Sequence, residues 1–249
     1  MPGTIKLVFT RPVDDRIPII PGGGEYGASR PYGSHIGVDF SARRENVRTV
    51  EGGRVVYSDN RAGSENKANY GNVVVIDHTP IAGKDQRHIY SLYAHLDSVS
   101  ISSGENVEKG SMVGISGNTG TRQYYEGARK GIPKSRQRGY HLHFEIIDSP
   151  KGFDFNGGWP GDLSPGDRKD PMKDYVGQKV IIEYELTEEE IGKIHDSLDI
   201  EPIIDFERGI CRFDLYLDGK KVGFFDKQKN EVNASLTPEE LNRILGNHA

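Results

Sequence analysis

The sequence predicts a mainly β protein whose strands are short, antiparallel and joined by many turns. Glycine accounts for 31 of the 249 residues, and turn residues separate apolar runs whose lengths suit strands better than helices. No apolar run approaches the roughly 18 residues that a membrane-spanning helix requires. The predicted strands lie at residues 53–57, 72–77, 88–93, 112–116 and 141–147.

The charge balance divides the chain near residue 177. Residues 1–177 carry 23 Lys and Arg against 21 Asp and Glu, whereas residues 178–249 carry 9 against 16. We therefore predict two domains with these bounds, the second a small acidic α+β appendage. Its helices should open at Thr187 and Thr237, which begin capping-box patterns, and Asp218-Gly219 should turn a hairpin. The acidic balance argues against nucleic-acid binding.

The strongest chemical signal is a pair of histidines in the last predicted strand of the first domain. His141 and His143 are two residues apart, so on a strand they project from the same face. Such a pair can bind a metal, or it can bind with one nitrogen and transfer protons with the other. The alternative interpretation is two half-buried histidines at the edge of a sheet.

Earlier residues favour the metal interpretation. His35 and Asp39 are four residues apart after a Gly-rich approach. A catalytic zinc usually takes three protein ligands of this kind and leaves one position for water, so one histidine of the later pair would complete the set. The helical H-E-x-x-H motif is absent. His95, which follows the apolar stretch 89–92, is then the natural candidate for a general base.

This ordered series of motifs resembles the lysostaphin/LytM-type zinc endopeptidases, a family that cleaves peptidoglycan. The similarity runs from about residue 10 to residue 176. The motifs that carry it lie at residues 26–30, 35–39, 52–57, 70–78, 93–96, 107–110, 114–120, 141–145 and 170–172.

The resemblance implies an antiparallel LytM-type catalytic domain over 1–177 and one Zn²⁺ per chain. It implies hydrolysis of peptide bonds by metal-activated water, with peptidoglycan stem peptides as the substrate. Carried over position by position, the implied metal ligands are His35, Asp39 and His143, and the implied catalytic pair is His95 and His141. An active-site tyrosine of the family is left unassigned between Tyr26 and Tyr32.

The chain departs from the family pattern at residues 121–140, where the usual link is short. This insertion contains six Lys and Arg, and Gly127, Gly131 and Pro133 favour a loop. A basic loop beside the catalytic histidines would suit an acidic stem peptide. The alternative is a solvated surface loop.

The finer function rests on weaker signals. No separate wall-targeting repeat is visible, which favours a cross-link between D-alanine and a diamino acid over a glycine bridge. The alternatives are a catalytically silent LytM-like binding or activator protein and a zinc peptidase that acts on a protein. The intact five-residue set favours the enzyme.

The site of action is expected to be the cell wall or periplasm. Residues 1–10 lack a secretory apolar region. We therefore expect a non-classical route, phage delivery, injection as an antibacterial effector, or a trimmed sequence. The appendage is a candidate site for an inhibitor or secretion-machine partner.

Among the histidines not assigned to the site, His78 is expected to be structural, His88 exposed, and His195 part of a charged helix. Cys211 is the only cysteine, so no intramolecular disulfide forms.

Overall fold

The computed structural model divides the chain into two compact units, residues 7–180 and residues 1–6 with 181–249. It describes residues 2–31, 33–59, 70–79, 87–150, 152–153, 155, 168–185, 189, 193, 196–205, 210–226 and 231–234.

The first unit is built on a nine-stranded sheet. The two-stranded sheet of β2 (Ser29–Arg30) and β3 (Gly33–Ser34) accompanies it. Strand β1 (Pro2–Val8) pairs with β13 (Lys179–Glu185), and most residues of these two strands belong to the second unit. The strands of the main sheet are β4 (Val38–Phe40), β5 (Asn46–Arg48), β6 (Gly53–Asp59), β7 (Asn72–Asp77), β8 (His88–Val99), β9 (Asn106–Val107), β10 (Met112–Ser116), β11 (Leu142–Ser149) and β12 (Arg168–Lys169). Their order is β12-β11-β8-β7-β6-β9, with β4 paired to β11 and β10 paired to β8 and β5.

The central strands β7, β8 and β11 form the core of this unit. Every residue of β7 is buried, and Val73 to Ile76 are inaccessible to solvent. Phe144, Ile146 and Ile147 of β11 are equally buried. A strand buried on both faces reads as a continuous apolar run, as β7 does, because neither face meets water. Side chains carried by such strands are held by packing on every side.

The 121–140 insertion is not simply a loop, so that prediction is wrong for its first half. Helix α1 (Arg122–Arg129) begins at Thr121, whose Oγ1 accepts a hydrogen bond from Tyr124 N. Gly127 lies inside the helix. The position is a glycine because a Cβ there would lie 2.9 Å from the Gln137 side chain. Gly131 follows the helix at φ +61°, the usual glycine position after a helix end. The two glycines thus serve packing and capping. A short 3₁₀ helix, Lys134–Arg136, follows.

The second unit contains a four-stranded antiparallel sheet in sequence order: β14 (Asp199–Asp205), β15 (Ile210–Leu217), β16 (Lys220–Asp226) and β17 (Glu231–Ala234). The predicted hairpin is confirmed. Asp218 and Gly219 have φ values of +50° and +75°, as a two-residue hairpin turn requires.

The predicted helices of the second unit are only partly described. Glu189, Lys193, Asp196 and Ser197 are helical, in line with a helix after Thr187. His195 and the helix predicted at Thr237 lie outside the described residues. Among the residues that are described, no helix is both long and apolar enough to span a membrane.

Candidate metal centre and histidine pair

The centre of the site is a cross-strand pair. Asp39 on β4 lies directly opposite His143 on β11, and Asp39 Oδ1 is 2.8 Å from His143 Nδ1. His35, just before β4, completes a buried cluster: its Nε2 is 3.2 Å from Asp39 Oδ1 and 3.1 Å from His143 Nδ1. The structure therefore brings together the three side chains that the sequence singled out as ligands, and they form a group that could hold a metal ion.

The spacing of the three atoms fits zinc. Zinc–nitrogen and zinc–oxygen bonds of about 2.0–2.1 Å in a tetrahedron place neighbouring ligand atoms about 3.3 Å apart. The observed separations run from 2.8 to 3.2 Å. Two imidazoles and one carboxylate are also a ligand set of catalytic zinc sites, which leave a fourth position open.

His35 and Asp39 each have their other polar atom occupied. His35 Nδ1 lies 2.9 Å from the Glu25 carbonyl oxygen. Since a carbonyl can only accept, His35 Nδ1 is the donor of this hydrogen bond. Asp39 Oδ2 accepts from Arg30 Nη2 at 2.6 Å. These contacts leave His35 Nε2 and Asp39 Oδ1 as the atoms that face the centre. Partners of this kind fix the orientation and tautomer of metal ligands.

The protonation states of Asp39 and His143 depend on each other. Burial alone would raise the pKa of Asp39, but hydrogen bonds from His143 and His35 outweigh it and hold the pKa below its usual range. Burial would lower the pKa of His143, but hydrogen bonds to Asp39 and Glu145 raise it to about 9. In the metal-free protein at neutral pH the pair is therefore carboxylate and imidazolium. A cation at Nδ1 would replace a proton there, as metal binding to histidine requires.

His95 and His141 form a second imidazole pair beside the centre, with ring centroids 4.6 Å apart. His95 Nδ1 donates to the Thr119 carbonyl at 2.8 Å, and His141 Nδ1 donates to the Gly139 carbonyl at 2.9 Å. In both rings Nε2 therefore carries the lone pair. His141 Nε2 lies 3.7 Å from Asp39 Oδ1, so the pair directly adjoins the candidate ligands.

Both rings of the pair favour the neutral form. Burial lowers the pKa of His95 well below its ordinary value, and the neighbouring His141 and His143 lower it further. Burial also lowers the pKa of His141, although Asp39 partly offsets this effect. A neutral imidazole with a free Nε2 lone pair is a proton acceptor at working pH.

The backbone at His95 is unusual and has its own support. His95 lies in a strand with φ +60°, a conformation that costs energy for a residue with a side chain. Its N–H donates to the Tyr70 carbonyl at 2.8 Å. Thr119, which holds the His95 ring, accepts from Asn72 N and donates to the Leu96 carbonyl. The segment around Gly71 thus braces both the backbone and the ring of His95.

Three residues of the site lie within the sequence motifs but had no predicted role: Arg30, Tyr70 and Glu145. Glu145 is two residues after His143 and therefore on the same face of β11, which was a usable signal. Arg30 and Tyr70 reach the site only in the folded chain, so the sequence offered no comparable signal for them. Tyr26 donates its hydroxyl proton to the Arg168 carbonyl at 2.9 Å, and Tyr32 lies outside the described residues.

The remaining described histidines are structural. His78 is fully buried, with Nδ1 on the Gly52 carbonyl and Nε2 on Ser91 Oγ. The prediction that His88 is exposed is wrong. Its accessible surface is 2% of the maximum, and Nδ1 lies 2.8 Å from Asp77 Oδ2. The polar residues before it end where β8 begins, so they did not indicate its surroundings.

A buried three-ligand centre with two neutral imidazoles beside it defines a candidate metallohydrolase. Residues 33–155, about half of the chain, match the model of peptidase family M23. This part of the chain belongs to that family of metallopeptidases. The LytM-type resemblance and the antiparallel β fold are thereby confirmed.

Solved structures give distant likenesses. A zinc-containing peptidase from Vibrio cholerae is 24% identical over 60% of this chain and 39% of its own, with a TM-score of 0.42. The lysostaphin catalytic domain from Staphylococcus simulans is 23% identical over 64% and 91%, with a TM-score of 0.38. A catalytic-domain mutant of the prophage-encoded M23 protein EnpA from Enterococcus faecalis is 19% identical over 67% and 97%, with a TM-score of 0.41. A comparison with curated proteins gave no match.

Proposed function

We propose that the protein is a zinc-dependent endopeptidase that hydrolyses peptide cross-links of bacterial peptidoglycan. One observation carries the proposal: in a family M23 domain, the buried cluster of His35, Asp39 and His143 adjoins two imidazoles whose Nδ1 contacts leave Nε2 unprotonated. A catalytically silent relative would have no use for two oriented neutral bases beside a complete ligand set.

The metal and the histidine pair would divide the chemistry between them. Zinc held by the three ligands would supply Lewis acidity towards the scissile carbonyl and lower the pKa of a coordinated water. His95 or His141 would accept the proton of the attacking water at Nε2. The protonated ring would then donate to the oxyanion or to the leaving amine. Because the rings are close, a charge on one disfavours a charge on the other, so only one of the two Nε2 atoms would be protonated at a time.

The basic insertion supports a substrate with carboxylates near the cleaved bond. Arg129, Lys130, Arg136 and Arg138 are exposed, and the insertion leads directly into His141. A diamino acid with two carboxyl groups keeps one of them free beside its cross-linking amide, whereas a glycine bridge carries no charge. We therefore propose the bond between D-alanine and a diamino acid as the one cleaved.

The test uses purified cross-linked peptide dimers of both types, analysed by mass spectrometry after incubation with the zinc-loaded protein. The expected result is conversion of the D-alanine–diamino acid dimer to monomers by the wild type but not by His95→Ala. Cleavage of the glycine-bridged dimer alone would overturn the bond assignment. Cleavage of neither dimer, with zinc bound, would overturn the proposed activity.

A further inference from the structure

The proposed mechanism gives no role to the carboxylate of Glu145, a buried charged group beside the metal centre. Glu145 is inaccessible to solvent and lies on β11 two residues after His143. Burying a carboxylate is costly unless each of its oxygens is hydrogen-bonded or paired with a charge. Its contacts should therefore explain what the charge does.

Both oxygens of Glu145 are engaged. Oε1 is 2.8 Å from His143 Nε2 and accepts from the Tyr70 hydroxyl at 2.5 Å. Oε2 accepts from Arg168 Nε at 2.7 Å. The side chains of His143 and Arg168 are 8% and 5% exposed. Glu145 is thus held from two sides by groups whose own positions are fixed by packing.

The consequence falls on His143. A carboxylate can only accept, so His143 Nε2 carries the proton of that contact. The proton fixes the tautomer and directs the other nitrogen, Nδ1, towards Asp39 Oδ1 and His35 Nε2. The backbone of Gly37 packs closely against both side chains, since a Cβ there would lie 2.9 Å from both His143 Cε1 and Glu145 Cγ.

We infer that Glu145, clamped by Tyr70 and Arg168, is a positioning residue that holds His143 Nε2–H and presents Nδ1 to the metal. The inference rests on the metal site of the proposed function. Loss of a partner of this kind typically costs 10- to 100-fold in metal affinity. The cost should appear in zinc binding itself as well as in turnover.

The test measures the zinc dissociation constant by competition with a chromophoric chelator, together with the thermal midpoint of each metal-free variant. Glu145→Met alone would remove the carboxylate that neutralises the buried Arg168, so the main variant is the double change Glu145→Met/Arg168→Met, which removes both charges. Glu145→Gln retains an oxygen that can accept from Nε2–H and serves as the conservative rescue. Asp77→Asn is the matched control, because Asp77 is also a buried carboxylate on a histidine, His88, away from the site.

The expected result is zinc affinity weaker by about 10- to 100-fold in the double variant, affinity largely restored in Glu145→Gln, and unchanged affinity in Asp77→Asn. Long-range ¹H–¹⁵N spectra of the zinc form should show the His143 proton on Nε2 in the wild type. Wild-type affinity in the folded double variant would overturn the inference, as would an equal loss in Asp77→Asn, which would indicate a general structural effect.

The inference and the proposed function can fail separately. If the wild type binds zinc but cleaves no peptidoglycan while the double variant binds zinc weakly, only the proposed activity fails. If the wild type cleaves peptidoglycan and the double variant retains full affinity, only the inference fails. If the wild type binds no zinc, both are overturned.

Discussion

His143 Nδ1 lies 2.8 Å from Asp39 Oδ1 because the two residues face each other across neighbouring antiparallel strands. Directly opposed side chains on one face of such a pair come within contact distance. The pairing joins residues 104 positions apart in the chain. This pairing brings the early motif that contains Asp39 next to the late motif that contains His143, so that the two form one site.

Substitutions of the metal ligands and of the catalytic pair should differ in their effect on zinc binding. Asp39→Ala should lose bound zinc, because one of three ligands is gone. His95→Ala and His141→Ala should retain most of the zinc while turnover falls by about 10²- to 10⁴-fold, the usual contribution of a general acid or base. Metal content measured by mass spectrometry beside hydrolysis rates checks both. Wild-type turnover in His95→Ala would show that the assignment of the pair is wrong.

Gly71→Ala should disable His95 without touching the metal. Gly71 has φ +63°, and a Cβ there would overlap the carbonyl and hydroxyl groups of Thr119, which holds the His95 ring. We expect turnover to fall by about 100-fold, the effect of displacing a catalytic group by about 1 Å, with zinc content unchanged. Gly104→Ala is the control, since φ there is +92° but the space is open. An equal loss of turnover in both variants would indicate backbone strain alone.

Neutralising the end of the insertion should weaken substrate binding. In Arg136→Gln/Arg138→Gln, we expect KM for cross-linked peptide to rise by roughly 3- to 10-fold with kcat little changed, because exposed charges contribute modestly. The effect should shrink at high salt. Lys173→Gln/Lys179→Gln removes two exposed charges elsewhere and should leave KM unchanged. A KM that responds equally to both double variants would point to net charge in place of a local contact.

Stability should depend on pH through His78. Burial lowers the pKa of His78, and its hydrogen bond to the Gly52 carbonyl offsets this only in part. Since the unfolded pKa is about 6.5, the stability from neutral His78 is fully present above that pH. It is lost as the pH falls towards the folded pKa, by at most about 1.4 kcal/mol per pH unit.

The advantage of the wild type over His78→Gln in free energy of unfolding should therefore shrink between pH 7.5 and pH 5. Urea denaturation at several pH values measures it, and the other histidines cancel in the difference. A difference that does not change with pH would contradict the argument.

Features that depend on local spacing could be predicted from the sequence, whereas features that depend on packing could not. The alternation of His141 and His143 indicated a shared face, and Asp218-Gly219 indicated its hairpin, because strand geometry and turn chemistry are local. The burial of His88 and the clamp on Glu145 depend on strands that are distant in the chain. The contact of Arg30 with Asp39 spans only nine residues, but it depends on how the segment between them folds. Gly127 favoured a loop in the sequence, and that prediction was wrong. A glycine is required there because a Cβ would contact the Gln137 side chain, which approaches only when the insertion folds.

The most direct test of the central claim is a titration of the metal-free protein with zinc, with new amino groups released from purified peptidoglycan measured at each step. We expect release that rises with added zinc and saturates at one zinc per chain, and no release from Asp39→Ala at any zinc concentration. Release from the wild type without zinc, or none from the fully loaded protein, would contradict it.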